Sequence, residues 1–318
     1  MSAPHDWGCG PLVSVIIPSR FRVDLLVTCV QSVIRYASIP IEIIVIDDGS
    51  DLGLISKAME PFAGIKCIRN EVAQGFAKAV QSGIEKASGE VVQLLNDDTR
   101  VEAGWLDRPM ACFADSRVGA VSPLVLIDDG RAFPWIDSAG DGYSLAGRAF
   151  KRFHRQPMPS GMSGCWVFGA SGSSAFYRKS ALQAVGGFPP EFGAYFEDVE
   201  VSWRLQRAGW RIWFEPESVV WHKVTSSYSS IMSCELMTKI AENQELVFLV
   251  NMPTNYNVIT LPLHTFYLLG RFIRALYFGR SASFVGGLLA AWKQCIMNSR
   301  GPVSGMRANA SKIPLELM

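Results

Sequence analysis

The run Leu94-Leu95-Asn96-Asp97-Asp98-Thr99 constrains this chain most, because two adjacent carboxylates directly follow an apolar stretch that reads as a buried strand. Taking an unpaired carboxylate out of water costs several kcal/mol. A core strand that ends in two of them therefore points to a cation or a donor-rich ligand at its carboxyl end. A plain turn is the competing reading, since Asp and Asn are common turn and cap residues. The arrangement recurs earlier: the apolar run Ile41 to Ile46 meets Asp47-Asp48-Gly49-Ser50, and Leu12 to Ile17 stops at Pro18-Ser19-Arg20. Such strands, each followed by a helical pattern, describe a parallel sheet whose strand ends line one crevice, where open α/β sheets bind ligands.

The helices are read from apolar spacing. Leu25, Leu26, Cys29, Val30, Val33 and Ile34 recur at helical intervals after Asp24, as do Phe76, Ala79, Val80, Gly83 and Ile84 after Gly75. Each set can cover one face of the sheet. The predicted order is β-α-β-α-β-α-β up to the Asn-Asp-Asp turn, then a short helix from Trp105 to Phe113 and a strand at Val118 to Val121. From Ile127 to Pro159 the chain turns Gly-, Asp- and Arg-rich and loses its period. That stretch reads either as a functional loop or acceptor-side insertion, or as a variable surface loop. Glu197-Asp198 opens a helical pattern continued by Val201, Ser202 and Leu205. Acids in a first turn are stabilised by the helix dipole. The aromatic surround of Phe192, Tyr195, Phe196 and Trp203 works the other way, raising a carboxyl pKa toward the range of a general base.

Composition removes several classes. Thirty basic and 29 acidic residues leave a net charge of +1, and no basic tract is interleaved with aromatics, so no nucleic-acid partner is expected. The first strand lacks the G-x-G-x-x-G turn of a dinucleotide fold, against a nicotinamide or flavin enzyme. The seven cysteines are scattered without a Cys-x-x-Cys pair, against a zinc module or a disulfide scaffold and in keeping with a reducing cytosol. Met1 to Cys9 contains no apolar signal core.

Taken together, Pro18 to Arg20 after the first strand, Asp47-Asp48-Gly49-Ser50, Asn70 with Gly75, Asn96-Asp97-Asp98, Gly186-Gly187-Phe188, Glu197-Asp198 and Trp203-Arg204 resemble family 2 glycosyltransferases of the GT-A fold. The likeness is to the rhamnosyltransferase-like branch that builds surface polysaccharides, and it covers roughly residues 12 to 225 in order. The resemblance implies a Rossmann-like, mostly parallel sheet flanked by helices. It implies that Asp48, with Pro18 and Arg20 beside it, meets the nucleotide base, that Asn70 and Gly75 belong to the donor site, and that Asp97 faces the ribose. By the same resemblance Asp98 holds a divalent cation, Mg²⁺ or Mn²⁺, on the donor diphosphate, hard oxygen ligands suiting such an ion. Asn96 stands where the strict pattern has Asp, which removes one charge. Asp198, beside Glu197, matches the base that deprotonates the acceptor hydroxyl in a single inverting displacement. His222 matches a histidine that joins the metal or the phosphates, with a purely structural role as the alternative. Arg204 and Lys223 suit phosphate, although Arg204 equally suits an ion pair with Glu200 one helical turn away.

Residues 1–225 are thus expected to form the nucleotide-sugar domain and 226–318 a helical, amphipathic extension. In that extension Leu268, Leu269, Phe272, Ile273 and Leu276 project as one stripe with Arg271 and Arg274 opposite, and Phe284 to Met297 forms a second apolar stretch. Two arginines weigh against clean insertion, so an interfacial helix at the cytoplasmic face of a membrane is expected. Packing on the catalytic domain or on a second subunit is the alternative. The expected activity is metal-dependent hexosyl transfer from a nucleoside-diphosphate sugar to a glycan or polyprenyl-linked acceptor. A catalytically inactive nucleotide-sugar-binding partner of the same fold is the other reading.

Overall fold

The computed structural model describes residues 12–224, 233–252 and 257–297. Met1 to Cys9, expected to lack a signal core, lies outside them. Strand β1 (Val13–Ser19), helix α1 (Val23–Tyr36), β2 (Ile41–Asp48), α2 (Leu54–Met59), β3 (Lys66–Asn70), α3 (Phe76–Lys86) and β4 (Val91–Leu94) alternate as the apolar pattern predicts. β1 pairs in parallel with β2 and β4, and β2 with β3. The register sets Ser19 opposite Asp47, so the polar ends of these strands emerge along one edge.

Alternation along β1 feeds both faces of the sheet. Val13, Val15 and Ile17 pack with Leu26, Cys29, Val30 and Val33 of α1, while Ile16 packs with Ala79, Val80 and Ile84 of α3. Each fully buried Val, Leu or Ile among them contributes about 1.5–3 kcal/mol. Gly83 lets α3 lie close, since a Cβ there would sit 2.6 Å from Ile16 Cγ2. Ile34, predicted in the buried stripe of α1, is instead exposed.

β5 (Thr99–Val101), α4 (Asp107–Cys112) and β6 (Val118–Ile127) follow. The stretch from Ile127 to Pro159 is not the aperiodic loop its composition suggested. It carries β7 (Ile136–Ser138), β8 (Asp141–Tyr143) and β9 (Ala149–Lys151), with β7 added to β6 and β8–β9 forming a separate ribbon. β10 (Cys165–Val167), β11 (Phe176–Arg178), α5 (Lys179–Ala184), α6 (Glu197–Arg207) and β12 (Arg211–His222) complete this part. β11 inserts antiparallel between β4 and β6, and β12 runs parallel to β6. The result is a mixed sheet in the order β10-β12-β6-β11-β4-β1-β2-β3 with helices on both faces.

Three helices follow, α7 (Cys234–Asn251), α8 (Asn257–Tyr277) and α9 (Ser281–Met297). Leu246, Val247 and Phe248 of α7 share a core with Tyr143, Phe168 and Trp203, so the carboxyl-terminal helices and the sheet side of the molecule are packed together. His264 of α8 stacks on Phe248 with ring centroids 3.5 Å apart, and its two nitrogens lie 2.8 Å from Ala146 O and 3.0 Å from Glu245 Oε2. Trp292 of α9 donates to the other Glu245 oxygen at 2.8 Å. The stripe predicted on α8 is split: Leu268 and Phe272 pack inward against Ala241, Ala275 and Phe284, whereas Leu269, Ile273 and Leu276 face outward. Arg271 does not project to the opposite side but lies over the rings of Tyr267 and Phe284. Among the described residues no helix is long and apolar enough to cross a membrane.

Candidate functional site

The polar ends of β1, β2 and β4 converge at one cavity of about 390 Å³, together with the start of α6 and the end of β12. The two acids that end β2 divide between structure and site. Asp47 is fully buried and takes hydrogen bonds from Ser50 N, Ser56 Oγ and Arg69, which locks the turn. Asp48 lines the cavity, its carboxylate accepting from Asn70 Nδ2, Gln74 N and Gly75 N at 2.8–2.9 Å. Asn70 and Gly75 therefore hold Asp48 in place and do not themselves line the cavity. Gly49 at this turn has φ +71°, and a Cβ on it would lie 2.5 Å from Ala73 N.

Asp97 and Asp98 follow β4, both nearly buried. Arg22 bridges them, its two nitrogens 2.7 Å from Asp97 Oδ1 and 2.7 Å from Asp98 Oδ2, and Ser19 donates to Asp97 Oδ2 at 2.7 Å. Burial raises the Asp97 carboxyl above its usual range against the pull of Arg22. For Asp98 burial acts in the same direction, but the hydrogen bond and charge of His222 prevail and hold it below that range. His222 Nε2 is 3.1 Å from Asp98 Oδ1 and its Nδ1 is 3.0 Å from Asp137 Oδ2. Asp137 on β7 also takes Lys151 Nζ of β9 at 2.7 Å. A chain of alternating charge thus runs from Lys151 through Asp137, His222, Asp98 and Arg22 to Asp97.

The start of α6 forms the other wall. Tyr195 and Phe196 precede it with φ of +69° and +68°, a left-handed conformation that is strained for aromatic residues and clusters at functional sites. It delivers Glu197 into the protein, buried, with Oε2 lacking a hydrogen-bond partner among the described residues. Burial and the Asp198 charge push Glu197 well above the carboxylate range. Asp198 faces the cavity, with Gly172 N 2.8 Å from Oδ2 and its neighbour Val199 N 2.8 Å from Oδ1. Burial raises Asp198 despite these donors. Asp141, buried on β8, is pushed up to about 7 by burial and by the charge of Asp198.

Pro18 and Arg20 line the cavity, and so do Asp97, Glu197, Asp198 and His222, whereas Asp98 is not among the lining residues and sits behind Arg22 and His222. Arg204 does not. Its guanidinium is buried and donates to Val185 O at 2.8 Å and Gly187 O at 2.9 Å, 3.6 Å from Glu200 Oε1, so the pair with Glu200 is the reading that holds and a phosphate contact is not. Arg22, Ser19, Asp137 and Lys151 were missed. Arg22 sits two residues past the Pro18-Ser19-Arg20 motif, and Asp137 and Lys151 lie in the stretch without a period.

The family model for glycosyl transferase family 2 matches residues 14–186. The chain belongs to glycosyltransferase family 2. Among relatives of this family 2 protein, pre-mycofactocin glycosyltransferase of Mycobacterium tuberculosis is 27% identical over 216 residues, 66% of this chain and 42% of the relative. N-acetylglucosaminyl-diphospho-decaprenol L-rhamnosyltransferase of the same organism is 27% identical over 207 residues, 58% of this chain and 66% of the relative. The chain thus spans less than half the length of the first of these. The structure of GalNAc-T7 with UDP, GalNAc and Mn²⁺ matches with a TM-score of 0.60 at 19% identity over 76% of this chain and 48% of that one. A mannosyltransferase from Pyrobaculum calidifontis, in complex with GDP-Man and Mn²⁺, matches with a TM-score of 0.54 at 17% identity over 91% and 88%. The fold of this family 2 glycosyltransferase is accordingly GT-A.

Its residues fit a divalent cation in one place. A cation there would take the place of the proton that His222 Nε2 shares with Asp98 Oδ1 across 3.1 Å, while Asp137 fixes the ring from behind, as carboxylates do for metal-binding histidines. No group of three or more His, Cys, Asp or Glu side chains able to hold an ion occurs among the described residues. Such a pair suits an ion whose shell is completed by oxygens of a bound donor.

Proposed function

We propose that this protein is an inverting, metal-dependent hexosyltransferase that moves a sugar from a nucleoside-diphosphate donor to a glycan or polyprenyl-linked acceptor in cell-surface polysaccharide synthesis. The observation that carries the reading is Asp198, oriented by two backbone N–H groups on the cavity wall, in a cavity whose other wall includes Asp97, Arg22 and His222, with Asp98 held behind them by Arg22 and His222. Asp48, with Pro18 and Arg20, receives the nucleotide, and Asp97 faces its ribose. Asp98 and His222 hold Mg²⁺ or Mn²⁺, which when bound neutralises charge on the leaving diphosphate. Asp198 accepts the proton of the acceptor hydroxyl as its oxygen bonds to the anomeric carbon, while the bond to the diphosphate oxygen breaks on the opposite face. Glu197, buried and above the carboxylate range, is kept protonated and leaves Asp198 as the proton acceptor. The rhamnosyltransferase relative is named for a diphospho-decaprenol substrate, and on that likeness we place the work of this protein at the cytoplasmic surface of a membrane.

The test is a panel of nucleoside-diphosphate sugars with and without Mn²⁺, read by binding and by transfer to a polyprenyl-linked acceptor. Asp198→Asn is expected to lower transfer by about a hundredfold or more while donor affinity survives. Transfer that falls less than tenfold in Asp198→Asn but vanishes in Glu197→Gln moves the base to Glu197. A wild-type protein that binds donors yet transfers nothing favours the inactive binding partner.

A further inference from the structure

Helices α8 and α9 are apolar on both sides, and among the described residues only one side is packed. Phe272, Leu268 and Phe284 face the protein, whereas Phe266, Leu269, Ile273 and Tyr277 are 53–84% exposed along the outer side of α8. Leu289, Trp292 and Ile296 of α9 are also exposed. Scattered apolar residues on a surface are ordinary, but a row of large ones along one helix marks an interaction surface. The charge around them narrows the partner. Residues 257–297 contain Arg271, Arg274, Arg280 and Lys293 and not one Asp or Glu, in a chain that is otherwise nearly balanced. Arg274 and Lys293 are exposed.

We infer that this outer side of α8 docks on an anionic lipid surface, its apolar row entering the interface while Arg274 and Lys293 meet the headgroups. The inference rests on the membrane setting proposed above and adds the face that makes the contact. A bilayer supplies what the row needs, an apolar layer behind negative charge, with no matching shape. A second copy fits less well, because a symmetric pairing of this face sets the same cations against each other. No described helix can cross a membrane, so attachment by this face is peripheral.

The experiment is co-sedimentation of the intact chain with vesicles of phosphatidylcholine alone and of an equal mixture with phosphatidylglycerol, at low and high salt. A variant carrying Leu269→Ser and Ile273→Ser is run beside it. Expected are binding to the mixed vesicles, weakening with salt, and a partition at least about tenfold lower in the double variant. Thermal unfolding and nucleoside-diphosphate affinity should be unchanged in that variant, which separates lost docking from lost folding. An intact chain that stays in the supernatant with mixed vesicles at low salt overturns the inference. So does a double variant that sediments like the wild type, or a dimer in the absence of lipid that the double variant turns into a monomer, which would make the face a contact between copies. Donor binding and transfer to a soluble acceptor are measured without vesicles, so failure of the catalytic proposal is seen separately.

Discussion

Replacing Asp137 with Asn tests whether His222 is held as an imidazolium by the carboxylates on either side of it. Burial disfavours a charged ring, but hydrogen bonds to Asp137 and Asp98 outweigh it and raise His222 from 6.5 to about 9. A raised histidine stabilises the fold in full below the unfolded value of 6.5, and that stability is lost as the pH climbs through about 9. The shift corresponds to about 3 kcal/mol, and the His222 side chain, 11% exposed, is little screened. With one of its two carboxylates neutralised and the cost of burial unchanged, at least half should go, about 1.5 kcal/mol or more. His154, raised chiefly by its hydrogen bond to Asp137, adds in the same direction, weakened because it is 41% exposed. Removing the charge beside Lys151 lowers stability at both ends of this window alike, and that ammonium, 31% exposed, can rehydrate. The assay is guanidinium unfolding of both proteins at about pH 6 and about pH 9.5, which bracket the titration. Groups that titrate in both proteins cancel in the comparison. An identical loss of stability with pH in wild type and Asp137→Asn would refute the reasoning.

Asp98→Ala should abolish Mn²⁺-dependent binding of a nucleoside diphosphate, checked by calorimetry with and without the ion; an unchanged affinity and ion dependence removes Asp98 from the metal site. Gly49→Ala, with φ +71° and its Cβ 2.5 Å from Ala73 N, should cost about 1–3 kcal/mol and lower the melting temperature by several degrees in a thermal scan. Glu42 accepts from Ser14, Ser88 and Lys66, which outweigh burial and lower it from 4.5 to about 2. Its stabilisation is present above 4.5 and lost as the pH falls toward 2. Acid unfolding of Glu42→Gln should lack this component, about 2 kcal/mol after screening through the half-exposed Lys66.

The first half of the fold was legible because the physics there is local. β1, β2 and β4 are apolar runs of strand length that stop at acids, and α1 and α3 show their buried face in their spacing. The same features marked Asp48, Asp97, Asp98 and Asp198. What escaped lacks a local signal. β7, β8 and β9 have three residues each, too few to show alternation, yet they carry Lys151 to the cavity and Asp137 to His222. α7 lies in the region expected to be helical, but the burial of Asn243, Gln244 and Glu245 against neighbouring loops and helices has no local signal. On α8 apolarity runs round most of the helix, so hydropathy could not say which half packs, and only the contacts with α7 and α9 separate Phe272 from Ile273. Arg204 was open between two partners, and Glu200 on its own helix, together with two backbone carbonyls, decided it.

The joint at His264 turns the outer helices into a spacer. Its ring ties α8 to Ala146, in the turn between β8 and β9, and to Glu245 on α7, which also holds Trp292. Both ring nitrogens and both carboxylate oxygens are committed, and the strands joined by that turn bear Asp141 and Lys151, neighbours of the cavity wall at Asp198. A plane resting on α8 would therefore stand at a set height from Asp198. An acceptor anchored in that plane presents its hydroxyl at a height fixed by the length of what lies between hydroxyl and anchor. If the transfer and the docking proposed above both hold, acceptors would be selected by reach, a chain of the right number of units being favoured over one a unit shorter or longer.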